Sequence, residues 1–181
     1  MAITLDGTSG ITTPGIVGNL SVSGNTTVGG TLTNTGLITA SAGVAVGGVG
    51  AANTLDDYEE GTFTPNIGGT GVVYSGTQGV YRKIGNLVFI YLSITITTIG
   101  SPITTNSILG LPFAPAISNQ HFGIAYYNAI TNNTYELHGN FRSDSSIRVE
   151  GKGSFGTGQT SGMNWAQNGV AIYGSGCYYT S

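Results

Sequence analysis

No aromatic residue precedes Tyr58; the ten tyrosines, six phenylalanines and single tryptophan all lie from that position on. The only charges before it are Asp6, Asp56 and Asp57. A segment without large side chains cannot assemble a thick core of its own. The remainder can, so the shift in composition places a boundary near residues 50–61.

Glycines recur in the ring-free part at 18, 24, 30 and 36, which divides it into GNLSVS, GNTTVG, GTLTNT and GLITAS. Third positions carry Leu20, Thr26, Leu32 and Ile38; fifth positions carry Val22, Val28, Asn34 and Ala40. Residues two apart share one side of an extended strand, so each hexad reads as a short β element closed by a glycine turn. A flexible linker leaves the period and the paired aliphatics unexplained. A single-chain β-helix needs about three repeats, and four hexads make little more than one coil. Three chains wound about one axis fit best, with Leu20, Val22, Val28, Leu32 and Ile38 at that axis. The expected organisation is an attachment arm over residues 1–15, a shaft over 16–52, an acidic junction over 53–65 and a β domain over 66–181.

With 7% charged residues, 39% hydrophobic residues and 31 glycines among 181, the chain is not a charge-extended disordered one. A net charge of −3 with five Lys and Arg is too little positive charge to follow phosphates, so nucleic acid is not an expected partner. MAITLDGTSGITTPG has neither a basic start nor an apolar core of the secretory kind. No run approaches the roughly 20 apolar residues that span a bilayer, and membrane insertion is not expected. Cys177 is the single cysteine, which excludes an internal disulfide framework and a thiolate zinc site. A buried, inert thiol is the simplest expectation there.

The junction, NTLDDYEEG from Asn53 to Gly61, has the pattern of one helical turn, with Thr54 as cap, Asp57 in the capping-box position and Gly61 as stop. Asp56, Asp57, Glu59 and Glu60 lack calcium-loop spacing and have no nearby histidine. They read as a solvated acidic collar, and neither a metal nor a cofactor is expected.

Beyond the junction the pattern is β. From Leu87 to Thr97, Val88, Ile90, Leu92, Ile94 and Ile96 form one aliphatic face; the other changes from Leu87, Phe89 and Tyr91 to Ser93, Thr95 and Thr97. The first face belongs in a core and the second is half covered. Further strands are expected at 71–75, 79–84, 107–110, 122–129, 134–141, 146–150, 164–166 and 170–179, separated by Gly, Asn, Ser and Pro. No helical period is sustained, and short strands at this spacing imply an all-β fold ending in a jelly-roll-like β-sandwich.

Catalytic chemistry is hard to place. GKGSFG at 151–156 matches a dinucleotide fingerprint in letters, but no helix pattern follows it. His121 and His138 lack metal-centre spacing. Glu136 and His138 share a strand face, as a cross-strand hydrogen bond would also require, and Glu136, Asp144 and Glu150 offer no defined glycosidase pair. The expectation is a protein that is not an enzyme. In Tyr126–Tyr127 and Tyr178–Tyr179 one ring of each pair faces out. With Phe89, Tyr91, Tyr135 and Trp165, these rings are candidates either for subunit contacts or for stacking on a sugar.

The hexads, followed by LDDYEEGTFTP and then YSGTQGVYRKIGNLVFI, resemble virion fibre and spike proteins of tailed bacteriophages across about residues 16–92. LPFAP at 111–115 is of the same character. That resemblance implies a homotrimer on the particle surface, attached to other virion proteins through its N-terminal arm and displaying a β-sandwich to the host surface, most simply to glycan. The shaft is short for a tail fibre, which leaves room for a head fibre or a cement protein decorating the capsid. A carbohydrate-binding module on a flexible linker is the reading from outside that family.

Overall fold

The computed structural model describes residues 21–48, 53–100, 107–128, 136–152 and 165–181. The arm, Leu20, Tyr135 and residues 153–156 of the GKGSFG loop lie outside them. The chain divides into two compact units, Met1–Thr39 and Ala40–Ser181.

In the first unit, every residue from 21 to 39 is exposed and none pairs in a sheet. The six-residue period is nevertheless expressed in the backbone, as bends at residues 23–24, 29–30 and 35–36. Small residues permit those bends but supply nothing to bury. Val22, Val28, Leu32 and Ile38 are 51%, 47%, 69% and 63% exposed.

The second unit opens with a two-stranded ribbon, β1 (Val44–Ala45) against β2 (Thr54–Leu55), antiparallel with Val44 opposite Leu55. The next eight strands are β3 (Tyr58–Phe63), β4 (Val73–Ile84), β5 (Leu87–Thr98), β6 (Ser107–Ile108), β7 (Gln120–Asn128), β8 (Glu136–Arg142), β9 (Ser146–Lys152) and β10 (Ala171–Tyr179). They form one antiparallel sheet in the order β3-β4-β5-β10-β7-β8-β9-β6. Just beyond its two outer strands, Asn66 and Leu109 exchange backbone hydrogen bonds of 3.0 and 2.6 Å. The sheet therefore curls until its ends meet, and its two halves enclose one core. The all-β expectation holds, and there is no α-helix among the described residues.

The alternation along β5 sets the core. Val88, Ile90, Leu92, Ile94 and Ile96 are buried, and they join Ile172 and Tyr178 of the neighbouring β10 and Phe122, Phe141 and Ile147 of β7, β8 and β9. Phe122 and Phe141 meet edge to face at 5.6 Å. Room for these rings comes from glycine: a Cβ at Gly174 would lie 2.5 Å from the Phe122 ring, and one at Gly176 would lie 2.9 Å from Phe141. β4 and β5 are joined by Gly85–Asn86, with Gly85 at φ 57°, as a two-residue hairpin with glycine in its first central position requires.

Three local expectations are corrected. The two strands expected at 71–75 and 79–84 are one strand, β4, which absorbs irregularities on either side of Tyr74. The helical turn expected from Thr54 to Gly61 does not form, because Thr54 and Leu55 pair with β1 and β3 pairs along its whole length with β4. Gly61 is not a helix stop; it lies opposite Tyr81, and a Cβ there would meet that ring at 2.8–2.9 Å. Trp165 and Ala166 belong to no strand, although both are buried. The loop that carries them is tied to β5 by hydrogen bonds from Gly169 N–H to Ile96 and from Ile99 N–H to Asn168 Oδ1, each 2.8 Å.

Candidate functional site

The side of the sheet opposite the core carries the exposed rings. Cross-strand register places them in rows running through β3, β4, β5 and β10: Tyr58–Ile84–Leu87–Tyr179, then Glu60–Arg82–Phe89–Cys177, then Thr62–Val80–Tyr91–Ser175. In a further row Ser93 lies opposite Tyr173, and Tyr173 opposite Tyr126 on β7. The last two rings lie 5.2 Å apart, tilted by 36°. Phe89, Tyr91, Tyr126 and Tyr179 are all exposed, as are Tyr58 and Ile84.

Three of the four junction carboxylates, Asp57, Glu59 and Glu60, find partners on β4. Glu60 lies on the outer face, where it accepts a 2.8 Å hydrogen bond from Tyr58 and lies 3.5 Å from Arg82 Nε. On the other face, Glu59 accepts a 2.5 Å bond from the Tyr81 hydroxyl and Asp57 pairs with Lys83. Lys83 Nζ also lies over the Phe113 ring, 5.7 Å from its centre. The residues are exposed as expected of a collar, but Asp57, Glu59 and Glu60 are paired rather than merely solvated. Glu60 raises the Tyr58 pKa and Glu59 raises that of Tyr81, mainly because each tyrosine donates its proton to a carboxylate.

A second polar group stands on β8 and β9. Glu150 receives Asn140 Nδ2 at 3.2 Å and lies 3.0 Å from Arg148 Nε and 3.4 Å from His138 Nε2. The carboxylate opposite His138 is thus Glu150, its cross-strand partner. A carboxylate engaged on one oxygen by Asn140 and on the other by Arg148, with His138 beside it, suits a positioned structural group better than a free base. Among the described residues no cluster of His, Cys, Asp and Glu is arranged to hold a metal ion.

The sequence-derived ring residues separate cleanly by strand parity. Tyr127 packs against the core while Tyr126 faces out, and Tyr178 is fully buried while Tyr179 faces out. Tyr178 donates a 3.0 Å bond to the Phe113 carbonyl. Burial pushes its pKa up to about 12. Tyr178 and Trp165 are therefore core residues and not surface contacts. Trp165 is 1% exposed, and its Nε1 has no hydrogen-bond partner among the described residues. The same alternation overturns the buried thiol: with Tyr178 inward, Cys177 points outward and is exposed.

No protein-family model matches the chain, and no curated protein matches it. Among solved structures, the chain is similar to the crystal structure titled Dettilon tailspike protein (gp208), with a TM-score of 0.49 and 19% identity. The likeness covers 67% of this chain and 24% of the tailspike chain, so this chain spans about a quarter of that protein's length.

Sequence reading located Phe89, Tyr91, Tyr126 and Tyr179 but not Arg82, Glu60, Tyr58, Ile84 or Tyr173 beside them. YRKI on β4 alternates inward Tyr81 and Lys83 with outward Arg82 and Ile84. Its period of two was already a usable signal within the strand expected at 79–84.

Proposed function

We propose that this chain is a structural protein of a tailed-bacteriophage particle, a homotrimeric fibre or spike. In this reading its Gly-rich segment forms a shaft, its N-terminal arm attaches to other virion proteins, and its β domain is displayed at the particle surface. One observation carries the proposal. A segment with a regular bend every six residues presents Val22, Val28, Leu32 and Ile38 to solvent. Burial of such a side chain contributes roughly 1.5–3 kcal/mol, and three copies around one axis provide that burial for each other. The hexads and the LDDYEEGTFTP and KIGN stretches add the likeness to phage fibres.

Contact with host glycan is the role proposed for the displayed domain, with the Tyr126–Tyr173 pair as the stacking platform. A ring pair at the surface offers a sugar an apolar face. Catalysis is not part of the proposal, since the carboxylate of the nearest acid–base grouping, Glu150, is already engaged by Asn140 and Arg148.

Antibody raised against the β domain and imaged on intact particles tests the assignment. Label on a projecting fibre or spike at the particle surface is the expected result. A regular label over the capsid would instead assign a head-fibre or cement role, and absence of the chain from purified particles would overturn the proposal.

A further inference from the structure

Asn168–Gly169 is the single Asn–Gly pair in the sequence, and it stands where the loop carrying Trp165 turns into β10. In such a pair the main-chain nitrogen of glycine, unhindered by a side chain, can attack the Asn Cγ. The new N–C bond closes a succinimide ring, and ammonia leaves with the proton of the attacking nitrogen. Water then opens the ring, giving either aspartate or, with the main chain rerouted through Cβ and Cγ, isoaspartate. Asn168 and Gly169 are both exposed, so water has access to the pair.

The fold holds both reacting groups. Gly169 has φ 82°, and the Val170 N–H donates to the Gln167 carbonyl at 3.3 Å, the arrangement of a turn with glycine at its third position. The Gly169 N–H donates to the Ile96 carbonyl, and Asn168 Oδ1 accepts from the Ile99 N–H, each at 2.8 Å. A further 2.8 Å bond, from the Ile96 N–H to the Val170 carbonyl, completes the set. The nitrogen that would attack thus has its proton committed to one carbonyl, and the amide that would be attacked is fixed by another main-chain group. Ring closure requires both bonds to be given up, which is a local opening of the turn.

We infer that Asn168–Gly169 is a deamidation site gated by this turn, and that conversion to isoaspartate releases the loop the turn anchors. The isoaspartyl linkage adds one main-chain atom ahead of the Gly169 nitrogen and makes the former Oδ1 a main-chain oxygen. The bonds to Ile96 and Ile99 are set by the shorter path and cannot all re-form. Trp165 adds no polar tie of its own: it is 1% exposed, yet its Nε1 has no hydrogen-bond partner among the described residues. Conversion to aspartate, by contrast, keeps the main-chain path and an acceptor oxygen for Ile99, and leaves the loop closed. Trp165 is the only tryptophan of the chain, so its emission distinguishes the two outcomes.

The experiment holds the full-length chain in warm, mildly alkaline buffer, native and in denaturant, while peptide mapping follows the loss of the amide at Asn168 and the isoaspartate formed. Conversion should be slower in the native chain by roughly tenfold or more. Isoaspartate-bearing chains isolated from the native sample should emit at longer wavelength than unconverted ones, because Trp165 has met water. The variant Asn168→Asp should emit as wild type does. Equal rates in native and denatured chains overturn the gating, and absence of conversion in denaturant overturns the site itself. Unchanged emission from the isoaspartate-bearing chains overturns the release. A shifted emission in Asn168→Asp also overturns it, by showing that charge alone opens the loop.

Discussion

At the scale of single residues, the fold depends on rings laid over glycines and on one buried hydroxyl. Gly61 faces Tyr81 across the β3–β4 pair, with no room for a Cβ, whereas a Cβ at Gly76 would meet nothing within 4 Å. Gly61→Ala should therefore cost about 1–3 kcal/mol in a denaturant melt, while Gly76→Ala should stay within about 0.5 kcal/mol of wild type or stabilise. Tyr178 gives a pH prediction. Its pKa is raised from 10.0 to about 12 in the folded chain, so the unfolded state loses the proton first. The associated stability is fully present below pH 10 and is lost as the pH rises from there through about 12. Unfolding free energies measured at pH 9 and pH 11.5 should fall more steeply for wild type than for Tyr178→Phe. Equal slopes would show that this hydroxyl is not the group responsible.

At the scale of elements, β5 was the most legible part of the chain. Its two faces differ at every step, and the five aliphatic positions read from the sequence are all in the core. Leu92→Ala should cost about 2–5 kcal/mol, and Thr95→Ala on the opposite face much less, by thermal or chemical denaturation. The hexad period was legible too, and appears as bends at every sixth residue. β3 was not legible, because its carboxylates pair with Tyr81, Arg82 and Lys83, which lie more than twenty residues away. A local reading sees only clustered acids and a capping pattern. Trp165 was misplaced for a similar reason: the loop that carries it is held to Ile96 and Ile99, at the far end of β5 and just past it, by hydrogen bonds from Gly169 N–H and to Asn168 Oδ1, which no local pattern records. Cys177 went the other way, since composition favours burial of a free thiol and strand parity overrides it.

At the scale of the whole molecule, the two units differ in what they lack. Ala40–Ser181 closes its own sheet through Asn66 and Leu109, whereas the described residues of Met1–Thr39 bury nothing. If the shaft is built from three chains, Val22→Asp combined with Leu32→Asp places six carboxylates along one axis. That double variant should lower the melting temperature of the assembly or dissociate it. The most direct test of the central claim is sedimentation equilibrium of the full-length chain at micromolar concentration. The homotrimer predicts one species at three times the 18.4 kDa chain mass, dissociating on addition of denaturant. A single species at 18.4 kDa throughout would contradict it.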